Sequence, residues 1–124
     1  MQTRDQKYAI DVFDRVSRIP VEKEYRNSYG SMAHKLPILI RTAGLAQALS
    51  FVEAKAIKIN ALQQFIKDLS GTVGKQDLAK DARELPLSEY IRLTQQVMAA
   101  LLWYKRFAQS VLDVHTTETK DETR

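Results

Sequence analysis

Metal sites and nucleophilic centres are most often built from histidine and cysteine, and this chain has two histidines and no cysteine. His34 and His115 lie far apart, and neither belongs to the HExxH pattern of a zinc-binding helix. His34 has Gly30 and Ile38 one turn away on either side, so it also lacks a carboxylate partner. We therefore predict no metal site, no cofactor and no catalytic residue built on these groups.

Carboxylates occur in two groups at helical spacing. Asp11 and Asp14 form the first group, and Asp77, Asp81 and Glu84 form the second, each with basic residues about one turn away. A general acid–base pair needs environments that push two pKa values apart. Carboxylates balanced by neighbouring bases on an amphipathic pattern are instead typical of solvated helix faces. The sequence favours that structural interpretation.

The segment Gly71–Lys75 resembles half of a phosphate-binding loop. A P-loop has four residues between its glycines and a Ser or Thr after its lysine. Here two residues separate Gly71 from Gly74, and Gln76 follows the lysine. The pattern predicts an interhelical loop over Ser70–Lys75, so we expect a chain that is not an enzyme.

The distribution of charge is more informative than the formal net charge of +4. No acidic residue occurs from Tyr25 to Val52, and continuing to Lys58 adds two lysines against one acid, Glu53. The C-terminal half mixes both signs. A surplus concentrated on the second and third helical segments indicates a polyanionic partner.

Basic residues on three segments are candidates for RNA binding. Interleaved with Tyr25, Tyr29 and Tyr104, they suit phosphate neutralisation with occasional base stacking. An isolated Lys or Arg on a helix is usually a solvating surface charge, and the acid-free run is what favours a contiguous patch. The candidates are Arg15, Arg18, Arg26, Lys35, Arg41, Lys105 and Arg106.

Helical periodicity organises the chain around these residues. Apolar positions repeat at helical spacing over Arg4–Ile19, where Pro20 ends the pattern. A second helix runs from Glu22 or Lys23 to about Thr42, and we expect Pro37 to kink or divide it. A third segment follows Gly44 and continues into a fourth, Ile57–Leu69, with or without a break.

Two further helices complete the pattern. Asp77 is expected to cap a short helix that ends before Pro86, and Ser88 to cap a long one that reaches about Val114. Apolar residues nearly encircle this last helix between Val97 and Phe107, which predicts a central position. The fold class is therefore all-α, a compact bundle of about five to six helices with a long C-terminal helix.

Residues 1–114 are expected to form a single helical-bundle domain, and residues 115–124 a polar, disordered tail. No apolar run approaches the roughly 18 residues of a membrane span, and the N-terminus holds no apolar signal segment. We expect a cytoplasmic protein with no membrane partner.

Three blocks of residues, in order, resemble the small subunit of the type III-B (Cmr) CRISPR effector complex. The middle block carries the likeness best: Ala33–Pro37 matches a basic K-L-P element, and Leu39–Phe51 matches the helix I-R-x-x-G-L-x-Q-A-L-x-F. The opening Gln6–Ala9 and the closing Tyr90–Ala108 are also similar. Within the middle block, Phe51 and the leucines are expected in the core and Gly44 at a positive-φ break, which leaves Lys35 and Arg41 for RNA.

The resemblance implies a helical bundle without nuclease activity. In that family, further copies stack beside the backbone subunits that hold the guide RNA and line the groove for the target RNA. The implied partners are the backbone and large subunits, guide and target RNA, and further copies of the chain. The polar tail after Val114 departs from the family pattern. A purely structural subunit, whose basic surface docks acidic partner subunits, remains the alternative.

Overall fold

The computed structural model describes residues 1–115, and within them the chain forms six helices and no strand. This confirms the all-α prediction. The predicted disordered tail, apart from His115, lies outside the described residues. The helices are α1 (Arg4–Ser17), α2 (Lys23–Ala43), α3 (Leu45–Ala56), α4 (Asn60–Thr72), α5 (Leu78–Glu84) and α6 (Leu87–Ser110).

The first helices begin and end for local reasons. Thr3 and Gln6 form a capping box, in which each side chain accepts a hydrogen bond from the other residue's backbone N–H at the start of α1. Pro37 was expected to kink or divide the second helix. Helix α2 continues through Pro37, so it is not divided there. Pro37 is buried where α2 packs against α3, α4 and α6, and this packing holds the residues beyond it in the helix.

Gly44 separates α2 from α3 with a φ of 87°, which confirms the predicted positive-φ break. The third and fourth segments are two helices, with a break between Ala56 and Asn60. The loop predicted over Ser70–Lys75 begins later, because α4 runs through Thr72. A Cβ on Gly71 would lie 2.5 Å from Arg15 Nη2, so this glycine serves close packing inside a helix.

The long helix α6 differs from its prediction at both ends. Asp77 caps α5 as expected, but α6 starts at Leu87 directly after Pro86, and Ser88 makes no capping bond. A proline beside the first helical residue sets φ without sacrificing a needed hydrogen bond, which explains the earlier start. The helix ends at Ser110, short of Val114, since the following residues turn back over α2.

The returning segment, 111–115, is fixed by tertiary contacts. Val114 N–H donates to the Ala108 carbonyl at 2.8 Å, and His34 Nε2 lies 2.9 Å from the Val114 carbonyl. Val114 also packs directly on Gly30: a Cβ added to Gly30 would lie 2.6 Å from the Cβ of Val114. These contacts close the bundle across the outside of α2.

The core lies where α2, α4 and α6 meet. Tyr29, Phe65 and Tyr104 pack edge to face there, with ring centroids 5.2 Å and 5.6 Å apart around Phe65. Helix α6 packs mainly on α1 and α2 and also contacts α4 and α5. Leu102 in its apolar stretch faces solvent, as do Leu87 and Ile91 before that stretch. Among the described residues, no helix combines the length and the apolar character that a membrane crossing requires.

Candidate nucleic-acid interface

Lys35 and Arg41 are both exposed on α2. They are six positions apart, which on an α-helix corresponds to about 9 Å along the axis and about 120° around it. Neither side chain forms an ion pair with a carboxylate among residues 1–115. Both positive charges are therefore available to a ligand, from two directions.

Lys35 lies in a groove that joins it to Lys55 of α3. The groove has a volume of about 160 Å³ and no carboxylate in its lining. Ser28 and Ser31 line it from α2. Its remaining walls are apolar, and we call the whole feature the lysine groove: Ser28, Ser31, Lys35 and Lys55 over Met32, Ile59 and Leu62.

Lys55 is absent from the residues predicted to bind RNA, although the sequence carried a signal for it. The basic surplus continues past Val52 through Lys55 and Lys58 with Glu53 as the one acid. Phe51, expected in the core, is instead 40% exposed, and the Lys55 ammonium lies 5.0 Å from its ring centroid. The phenyl ring thus supports the lysine at the groove by a cation–π contact.

Arg15 and Arg18 carry charges that their neighbours already balance. Arg15 Nε donates to Asp11 at 2.8 Å, and its Nη1 lies 3.6 Å from the buried carboxylate of Asp68. The hydrogen bond to Asp11 raises the pKa of Arg15. Arg18 is paired with Asp14 one turn away. Both arginines line a separate cleft of about 440 Å³ at the end of α1.

Arg26 is tied to the backbone of the bundle. Its guanidinium donates to the carbonyls of Pro20 at 2.8 Å, Val111 at 3.2 Å and Ile19 at 3.4 Å. These carbonyls follow the ends of α1 and α6, where helices leave acceptors unsatisfied. The geometry gives Arg26 a role in holding three segments together.

Lys105 and Arg106 are exposed on α6 beside an aromatic surface. The Arg106 guanidinium lies 5.4 Å from the Trp103 ring centroid. Trp103 stacks on Phe107, which meets Phe13 of α1 edge to face at 5.3 Å. With Ile10, which is 55% exposed, these rings form an apolar surface between α1 and α6. We call it the aromatic ledge: Ile10, Phe13, Trp103 and Phe107.

The three tyrosines predicted to stack on bases divide into one accessible ring and two buried rings. Tyr29 and Tyr104 are 1% and 0% exposed, so the prediction that they stack on bases is wrong. Their positions at helical spacing reflect the core face of α2 and α6. Tyr25 is half-buried at the surface of α2 and stays a candidate.

The remaining polar residues do not gather into a metal site within the described chain. No three His, Asp or Glu side chains of residues 1–115 lie close enough to hold one ion. His34 is buried, and its Nδ1 has no hydrogen-bond partner in this part of the chain. His115 pairs with Asp113 at the end of the returning segment.

Comparisons with known proteins agree with one another. The family model described as CRISPR-associated protein (Cas_Cmr5) matches residues 4–111. The chain is 41% identical over 114 residues to the CRISPR system Cmr subunit Cmr5 of Thermus thermophilus, covering 91% of this chain and 99% of that protein. A crystal structure of a CRISPR-associated Cmr5 family protein from the same organism superposes with a TM-score of 0.82 at 42% identity. That alignment covers 90% of this chain and 99% of the other.

Proposed function

Because this chain belongs to the Cmr5 family of CRISPR-associated proteins and is therefore the small subunit of a Cmr complex, we propose that it acts there without catalysis by presenting basic helix surface to RNA. Its protein partners in this proposal are the backbone and large subunits of the effector complex. Its RNA partners are the guide and the target, which it contacts through phosphates and independently of base sequence.

The observation that carries the proposal is the lysine groove with Arg41 beyond it. Lys35, Lys55 and Arg41 are exposed cations without a carboxylate partner among residues 1–115. Cations in this state bind phosphates by releasing condensed counterions, and no internal ion pair has to be broken first. Lys105 and Arg106 extend the basic surface on α6, whereas Arg15, Arg18 and Arg26 reach RNA in this proposal while they keep their internal partners.

A single copy offers few free cations, so its own affinity for RNA should be weak. Each neutralised phosphate contributes a slope of about 0.7 to 0.9 in log K against log salt concentration. Several copies stacked along one guide–target duplex turn separate weak contacts into one strong interaction, because later contacts become intramolecular. The proposal therefore includes self-association along the filament and predicts that strong binding belongs to the assembled complex.

The test replaces Lys35 and Arg41 by alanine in a reconstituted complex. We expect weaker target-RNA binding at about 0.15 M salt, a smaller salt slope and an unchanged far-UV helical signal, since both side chains are exposed. Lys80→Ala on α5 is the matched control, because Lys80 is an exposed lysine outside the groove. Unchanged RNA affinity and unchanged assembly in the double variant would contradict the proposal.

The aromatic ledge supports the alternative function, a purely structural subunit. Exposed aromatic and arginine side chains are the groups that dominate protein–protein interfaces, and Phe13 is 51% exposed. Salt-dependent crosslinking to RNA separates the two functions. Crosslinks near Lys35, Arg41 or Lys105 support RNA contact, and their absence at every salt concentration supports docking alone.

A further inference from the structure

We propose that the lysine groove is a discrete phosphate-binding site, formed by Lys35 and Lys55 with the hydroxyls of Ser28 and Ser31. This inference rests on the proposed function only in assigning the phosphate to an RNA backbone. It differs from a diffuse basic patch, because a built site saturates, has a fixed set of donors and fails when one donor is removed.

The charge of the groove lining favours an anion. Glu22 and Glu24 line an adjoining depression that shares Ser28 and Ile59 with the groove, and neither forms an ion pair with Lys35 or Lys55 among residues 1–115. Lys35 and Lys55 contribute two positive charges, and the lining contains no acid. Glu53 is the nearest acid along α3, but its carboxylate lies 3.8 Å from Arg83 Nη1 of α5. Residues 53 and 55 leave a helix about 160° apart, so Glu53 faces away from the groove. Nothing in the lining neutralises the two ammonium groups.

The donors on α2 share one face of the helix. Ser28, Ser31 and Lys35 are separated by three and four residues, the spacing that places side chains in one row. Neither serine hydroxyl makes a side-chain hydrogen bond in residues 1–115, so both are free to donate to an oxyanion. Lys55 lines the same groove from α3, and its ammonium lies 5.0 Å from the Phe51 ring centroid.

The size of the groove suits one phosphate group. A volume of about 160 Å³ corresponds to roughly five water molecules. That space accommodates the four oxygens of one phosphate, and because the groove is open to solvent, the rest of a nucleotide can lie outside it. The apolar residues Met32, Ile59 and Leu62 below it offer contact to ribose carbons but no acceptor or donor that could read a base. Recognition at this site is therefore independent of sequence.

The first experiment uses the full chain and inorganic phosphate at constant ionic strength, followed by amide chemical shifts. We expect saturable shifts at Ser28 and Ser31 and at residues around Lys55. Lys55→Gln and Lys35→Gln should each weaken phosphate binding roughly tenfold, since each removes one charge-assisted contact. Lys80→Gln should leave the titration unchanged, and thermal melts check that every variant is folded.

The second experiment distinguishes the two sources of phosphate. In the reconstituted complex, loss of target-RNA crosslinking at α2 and α3 in Lys55→Gln assigns the site to the RNA backbone. The opposite outcome is that phosphate binding depends on Lys55 but RNA crosslinking does not. This result would overturn the RNA assignment and indicate a site for free phosphate.

A third outcome separates this inference from the proposed function. If phosphate causes no saturable shift at Ser28 or Ser31 and Lys55→Gln changes nothing, the discrete site is wrong. RNA binding that still depends on Arg41 or Lys105 in the same complexes would leave the proposed function standing. If phosphate causes no saturable shift and RNA binding does not depend on Arg41 or Lys105, both the discrete site and the proposed function are wrong.

Discussion

Tyr29 and Tyr104 bring two phenol groups into the centre of the bundle. Tyr29 Oη donates to Asp68 at 2.7 Å, and Tyr104 Oη lies 2.8 Å from Thr72 Oγ1. Burial raises the pKa of both tyrosines well above the usual value near 10. The same polar cluster holds Arg15 through Asp68 and so fixes α1, α2, α4 and α6 relative to one another.

These two pKa shifts predict how stability depends on alkaline pH. The folded state keeps protons that the unfolded state loses, so the stabilisation is complete below the unfolded pKa of about 10 and is lost as pH rises above it. Each buried tyrosine should lower the free energy of unfolding by about 1.4 kcal/mol per pH unit in that range. Tyr104→Phe should reduce the measured slope by about 1.4 kcal/mol per pH unit, followed by urea unfolding at a series of pH values.

Tyr104→Phe should also lower the stability of the fold at neutral pH. Tyr104→Phe loses one neutral hydrogen bond, which we expect to lower the free energy of unfolding by about 1 kcal/mol. Thr72 keeps its hydrogen bond to Asp11 at 2.7 Å, so no buried donor is left without an acceptor. An alkaline slope identical to that of the unchanged chain would show that Tyr104 ionises in the folded protein.

At the scale of elements, local signals located most helix boundaries and missed the C-terminal one. Pro20, Gly44 and Asp77 mark breaks through their own backbone chemistry, so the sequence alone predicts them. The end of α6 at Ser110 depends on His34 and Gly30, which lie about 80 residues away along the chain. Periodicity cannot reveal such a contact, because Val111 and Val114 continue the apolar pattern of the helix.

The returning segment predicts an unusual sign for Gly30→Ala. Replacing a glycine inside a helix by alanine normally raises the free energy of unfolding by about 1 kcal/mol. Here the new Cβ would lie 2.6 Å from the Cβ of Val114, and overpacking of this kind costs about 1–3 kcal/mol. The His34 bond to the Val114 carbonyl is also weakened when the segment moves. We expect a net loss of about 1–2 kcal/mol in urea unfolding.

A shortened chain provides the control for this prediction. A chain that ends at Asp113 lacks the Val114 side chain that packs on Gly30. In that chain, Gly30→Ala should raise the free energy of unfolding by up to about 1 kcal/mol. The comparison is made within each background, so the cost of shortening cancels. The same sign in both backgrounds would mean that Val114 does not pack on Gly30 in solution.

At the scale of the whole molecule, two surfaces of different chemistry are built from different helices. The lysine groove lies between α2, α3 and α4, and the aromatic ledge lies between α1 and α6. Sequence patterning predicted the basic surplus on α2 and α3 but distributed the candidates over the whole bundle. The one-turn spacing of Asp11 and Arg15 indicated their pair, but the contacts of Arg15 with Asp68 and of Arg26 with the Val111 carbonyl arise only through tertiary packing.

Separate surfaces predict that subunit docking and RNA contact can be lost independently. Phe13→Ser removes an aromatic side chain that is 51% exposed and meets Phe107 at its edge. We expect a stability loss of about 1 kcal/mol, an unchanged phosphate titration and reduced incorporation into the complex. Lys55→Gln should show the reverse: full incorporation in the absence of RNA together with reduced RNA crosslinking, because the charge it removes is a partner for phosphate.

Incorporation is measured by co-purification with the backbone and large subunits, once with guide RNA and once without it. If the basic groove serves RNA, Lys55→Gln lowers recovery only when RNA is present, since the lost contact is then to phosphate. If its charge instead matches an acidic subunit surface, recovery falls equally without RNA, and that result decides for the structural alternative. Phe13→Ser with full recovery in both conditions would remove the aromatic ledge from the docking interface.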